Sequence, residues 1–169
     1  MNTNRFCSGR IKWLNLAGWF CLLLWAPLAA FAQSPAFEAD AKLTKNARTW
    51  AEEFVTFAAD RYKVELDWTQ VSIKYIDEIV DDLHKTYLAE TPEEQLVAPI
   101  GRALGSYVAE VYRIYYGGQW GWIELEAGSF PGVRSQSGAD FFPLKKALDR
   151  IKTGDDPDIW EYFQLLSDQ

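Results

Sequence analysis

The stretch that most constrains this chain is residues 91–116, a long apolar run in which small residues recur at every fourth position, Gly101, Gly105 and Ala109. A glycine inside a helix costs about 1 kcal/mol against alanine, so the spacing predicts that one side of a helix lies close against another element. Arg102, Glu110 and Arg113 sit in the same run and exclude a membrane span. Thr91 is placed as N-cap, Pro92 in the first turn and Glu94 three residues after the cap, with a kink or restart at Pro99. Leu96, Ile100, Leu104, Val108, Val111 and Tyr115 form the expected apolar face, and Gly117-Gly118 ends the helix. Beyond that pair the period drops to two. Trp120, Trp122, Glu124 and Glu126 share one face of a strand, and Gly121, Ile123 and Leu125 the other. Residues 128–132 read as a turn and 133–136 as a return strand. A tightly packed helix feeding a hairpin implies an α+β fold, with several helices packed on a small antiparallel sheet or hairpin.

The remaining segments supply those helices. Residues 33–60 read as one helix, with Leu43, Ala47, Trp50, Phe54, Phe57 and Ala58 on one stripe. Residues 63–66 alternate as a short strand, in which Val64 and Leu66 are the apolar positions. Asp67 or Thr69 then caps a helix, with Gln70 three residues after Asp67 as in a capping box. Ile73, Ile76, Val80, Leu83 and Tyr87 form its apolar face, opposite Lys74, Glu78, Asp82 and Lys85. Pro143 opens a short helix over 143–151, and residues 155–158 cap a last one containing Ile159, Trp160, Phe163 and Leu166.

Residues 1–32 read as a cleaved export signal. Arg5, Arg10 and Lys12 make a positive start, residues 14–31 are almost wholly apolar, and Ala30-Phe31-Ala32 offers a signal peptidase its small residues. The apolar run approaches the ~20 residues that span a bilayer, but Pro27 and the Ala-x-Ala end favour cleavage after Ala32. No stable membrane span is expected afterwards, and the expected location is the periplasm or the medium. Cys21 follows Ala17-Gly18-Trp19-Phe20, which is no lipobox. Both cysteines, Cys7 and Cys21, fall in the leader, so the 137 residues left from 169 have no disulfide, thiolate nucleophile or cysteine-bound zinc. Residues 33–169 are expected to form a single domain, long enough for its own core. The leader also removes three of the 17 basic residues and none of the 24 acids, leaving 14 bases and a formal charge of −10. No basic stripe for nucleic acid is visible. The acidity suits solubility, or attraction to a basic protein partner.

Four strings are similar to a family of small bacterial domains of unknown function. They are Val64-Glu65-Leu66-Asp67-Trp68-Thr69 with Ser72-Ile73 and Ile76-Asp77, then Gly105-Ser106-Tyr107-Val108-Ala109-Glu110-Val111, Gly117-Gly118-Gln119-Trp120, and Phe142-Pro143. The resemblance covers residues 63–166, with Ala109 where the pattern has glycine. It implies an α+β fold and kinship with accessory or immunity-like proteins, and it supplies no catalytic residue.

Several side chains invite chemistry. His84, the one histidine, shares a helix with Asp77 and Asp81 near one face, a set that could ligate a divalent cation; a carboxylate-bridged pair of metals needs a second such histidine, and a histidine at a helix end also suits the dipole. No metal or cofactor is therefore assigned. Glu124 and Glu126 stand about 7 Å apart on a strand, a spacing that could flank a glycosidic bond, beside Trp120 and Trp122 for sugar stacking. The competing reading buries both indoles. Glu110 lies among Tyr107, Val111 and Ile114, either as a perturbed acid or paired with Arg113 or Arg102. Ser129, Ser135 and Ser137 lack a nucleophile elbow, and no phosphate-cradling glycine loop occurs. The expectation is a non-enzymatic acidic protein-binding module, immunity-like or an envelope accessory, with Asp77, Glu78, Asp81 and Asp82 as its first surface. The alternative is a glycan-binding or glycan-hydrolysing protein using the Trp120, Trp122, Glu124 and Glu126 face.

Overall fold

A computed structural model describes residues 35–154 and 158–168. Among them the order is β1 (Phe37–Ala39), α1 (Ala41–Phe57) ending in a π-helical turn (Ala58–Tyr62), and a 3-10 turn (Val71–Ile73) leading into α2 (Lys74–Glu90). There follow α3 (Glu94–Tyr116), β2 (Gln119–Leu125), β3 (Gly128–Arg134), β4 (Asp140–Phe141), α4 (Pro143–Thr153) and α5 (Ile159–Ser167). The strands form one antiparallel sheet in the order β1-β2-β3-β4. The fold is α+β, with helices packed on a small antiparallel sheet.

α3 is the hub. Residues 103–112 are buried without interruption, because α1 and α4 both pack along this helix and Trp120, Val133 and Phe141 join the same core. The apolar face is rotated at its ends from what its period suggests: Leu96 and Tyr115 are 67% and 49% exposed, and the next residues, Val97 and Tyr116, face the core instead. The small-residue spacing has a concrete partner. A Cβ on Gly105 would collide with the Pro143 carbonyl and lie 2.7 Å from Leu144 Cα, and one on Gly101 would lie 3.0 Å from Leu148 Cα. The backbone of α4 therefore rests directly on α3. Pro99 lies inside α3 without ending it, at the cost of one backbone hydrogen bond.

Several local expectations are corrected. The helix expected over 33–60 begins at Ala41, where Asp40 Oδ1 accepts the backbone N–H groups of Lys42 and Leu43 at 2.7 and 3.0 Å. Residues 37–39 instead pair with β2, Glu38 opposite Trp122; residues 33–34 lie outside the described residues. Residues 63–66 form no strand, because Lys63 takes φ 58° after the π turn and the extended chain beyond it has no partner strand. Its alternation reports only that Leu66 is buried and Val64 half-buried. Thr91 ends α2 in the left-handed region instead of capping α3, its N–H bonded to the Tyr87 carbonyl, and Glu93 precedes the first turn of α3. The return strand starts at Gly128, pairing with Leu125 across a tight turn, and not at Val133.

Candidate functional site

Most residues that invited chemistry are holding the fold. Glu110, 6% exposed, accepts the Trp120 indole N–H at 2.8 Å and an Arg113 guanidinium N–H at 2.5 Å on the same carboxylate oxygen. Arg113 also donates to the Gly118 carbonyl, so this acid and base lock the end of α3 to the start of β2. Tyr107, about one turn earlier on α3, does the equivalent for the turn before α2. Its hydroxyl accepts the Trp68 N–H at 3.0 Å and lies 2.6 Å from Ser72 Oγ, whose own proton goes to the Thr69 carbonyl; Tyr107 is therefore the donor to Ser72. Burial pushes the Tyr107 hydroxyl above its usual pKa and keeps it neutral. Trp68 sits at φ 64°, unusual for a bulky side chain, and is held there by Tyr107 against its ring at 4.9 Å and the Arg48 guanidinium over it at 3.9 Å. The strings that carry the family resemblance thus meet one another in the core, Trp68 and Ser72 on Tyr107, Glu110 on Trp120, Gly105 on Pro143. They encode packing.

The acidic helix is similarly engaged. Asp77 accepts the Ile159 and Trp160 N–H groups at 2.7 and 3.1 Å, capping α5 from a distance; burial raises its pKa against the pull of those two donors. Asp81 pairs with the buried Arg150 at 2.6 Å and Asp82 accepts the Tyr62 hydroxyl at 2.9 Å, yet both, like Glu78, remain exposed. His84 Nδ1 lies 2.9 Å from the Ile151 carbonyl, which can only accept, so Nδ1 carries the proton. The ring also abuts Gly154 at the end of α4. Asp77, Asp81 and His84 hence serve three different partners. No group of three or more His, Cys, Asp and Glu side chains able to hold a metal ion occurs among the described residues.

The strand face separates its four residues. Trp120 is 1% exposed and belongs to the core, whereas Trp122 is 38% exposed. Glu124 and Glu126 are exposed, and neither lines the cavity beside Trp120 or the one beside Trp122. The face expected to stack sugar therefore loses one of its rings. Residues 120 and 122 share one face of β2, but Trp120 is packed in the core with its indole on Glu110, whereas Trp122 stands at an open groove.

What Trp122 does line is a groove of about 360 Å³ between α1, α3, α4 and the β2-β3 hairpin, together with Trp50, Arg102, Lys42, Asn46 and Leu144. Trp122 is pinned by its indole N–H to Asp40 Oδ2 at 2.9 Å. Asp40 in turn is held below the ordinary carboxyl range by the Leu43 N–H and this indole, so it stays ionised and keeps the ring in place. Arg102 lies over Trp50 with its guanidinium 4.7 Å from the ring centroid. Sequence reasoning placed Trp50 on the core stripe of α1 and offered Arg102 as a partner for Glu110, and nothing local marks them as neighbours of Trp122.

The chain matches none of the protein-family models, curated proteins or solved structures with which it was compared. No described helix is long and apolar enough to cross a membrane.

Proposed function

We propose that the protein is a non-enzymatic binding module that holds its ligand in the Trp50–Trp122 groove. The observation that carries this reading is the groove itself. It gathers an indole fixed at its edge, a guanidinium laid on a second indole, an amide and an ammonium at an open surface. Such a mixture of apolar area and a few placed polar groups is what small-ligand sites present. Support also comes from the engagement of Glu110, Asp77, Asp81 and His84 with structural partners, which leaves these groups occupied. An exported accessory or immunity-like role is the version in keeping with the leader and the motif strings.

A second reading rests on charge. The formal charge of −10 from Gln33 onward and the exposed Glu78 on α2 favour a basic protein partner at that helix, captured by electrostatic steering. A photo-crosslinking residue placed at Asn46 or at Glu78 in producing cells separates the two. We expect an adduct at position 46 and none at 78. An adduct at 78 alone would move the site to α2, and no adduct at either would reject a binding role through these surfaces.

A further inference from the structure

Resting on that reading, we propose that the groove takes a saccharide bearing a carboxylate, its ring stacked on Trp122 and its acid group held by Arg102. The half-exposed Trp122 offers a flat apolar face whose orientation is set by the bond from its own N–H to Asp40. A pyranose ring presents an apolar C–H face of matching kind and hydroxyls around its edge, for which the Asn46 amide and Lys42 ammonium are suited partners. The groove lies near the lower end of the ~300–1,000 Å³ typical of ligand pockets, which suits one or two sugar rings.

The anionic requirement comes from Arg102. Arg48, Arg113, Arg134 and Arg150 each have a carboxylate within ion-pair distance. Arg102 has none among the described residues, and is instead oriented by Trp50. The one carboxylate lining the groove, Asp40, already accepts on both oxygens, Oδ1 from Lys42 and Leu43 and Oδ2 from Trp122. With Asp40 ionised, Arg102 and Lys42 leave the groove lining one net positive charge within an acidic chain, and a planar guanidinium is matched to a carboxylate by two parallel N–H donors.

The test is a titration of the protein, ¹⁵N-labelled, followed at its tryptophan indole N–H signals. The probes are the β-1,4-linked disaccharide of N-acetylglucosamine and N-acetylmuramic acid, the neutral N-acetylglucosamine disaccharide, and lactate, which carries the acid without the sugar. We expect the acidic disaccharide to move the Trp50 and Trp122 signals and leave Trp120 in place, and the neutral one to bind about tenfold more weakly. Arg102→Gln should reduce the acidic sugar to the level of the neutral one, and Arg102→Lys should restore part of the difference. Equal binding of the two disaccharides, or an unchanged Arg102→Gln, would overturn the carboxylate assignment. Lactate binding as tightly as the acidic disaccharide, or no movement with either sugar, would overturn the saccharide. An adduct at position 46 beside any of these failures would leave the binding reading standing, whereas its absence would remove both.

Discussion

Glu110 shows how much a single buried acid decides. Removing the acceptor of a buried donor costs about 1–3 kcal/mol, so Glu110→Ala, which strands the Trp120 indole N–H and frees a partly exposed Arg113, should lower the unfolding free energy by that order, read from urea denaturation. Trp120→Phe, which removes only the indole donor and a modest part of the ring, should cost less. The two indoles of β2 should also differ in solution: in variants retaining one of them, acrylamide should quench Trp122 and spare Trp120. Asp77 carries a pH effect. Burial raises its folded pKa above the ~3.9 of an unfolded aspartate, so the folded chain binds that proton more tightly. Its contribution to stability is full below the unfolded value and is lost as pH rises through the folded one. Asp77→Asn, which retains one acceptor for α5, should remove that fall from the pH profile of unfolding. At this scale the residue types were legible as candidates, but their roles were not, because the partners of Asp77 lie more than eighty residues further along the chain.

Among the elements, α3 and α4 make the contact on which the fold depends. Gly105→Ala drives a methyl into the Pro143 carbonyl, and overpacking of this kind costs about 1–3 kcal/mol. Gly101→Ala meets Leu148 at 3.0 Å, a milder contact than that at Gly105, while alanine gains about 1 kcal/mol of helix propensity. Denaturation midpoints should therefore fall clearly for Gly105→Ala and stay near the parent for Gly101→Ala. The four-residue spacing announced a close approach, since only small side chains permit one. It did not say to what, because α4 is too short to advertise a contact face by period alone. The false strand at 63–66 has the same origin: alternation records burial, and becomes a strand only where a second strand stands beside it.

For the whole molecule, the expected leader and the charge make their own predictions. Protein recovered outside the cytoplasm should have an intact mass starting at Gln33, and a species keeping Met1 to Ala32 would contradict the leader. If α2 captures a basic partner, association should slow as salt shortens the screening length from ~10 Å at 0.1 M to ~3 Å at 1 M. Reversing Glu78 should slow it further with no loss of fold, since that side chain is exposed. The amino-acid sequence by itself determined the order of the main helices, the hairpin after Gly117-Gly118, the small-residue seam and the acidic balance, because each is written in periodicity, punctuation or composition within a few residues. Only the tertiary structure decided that Phe37–Ala39 pairs with β2, that Glu110 and Tyr107 tie the motif strings together, and that Trp50, Arg102 and Trp122 line one groove. Those are contacts between segments far apart in the chain, and local propensity carries no record of which distant side chain packing will bring alongside.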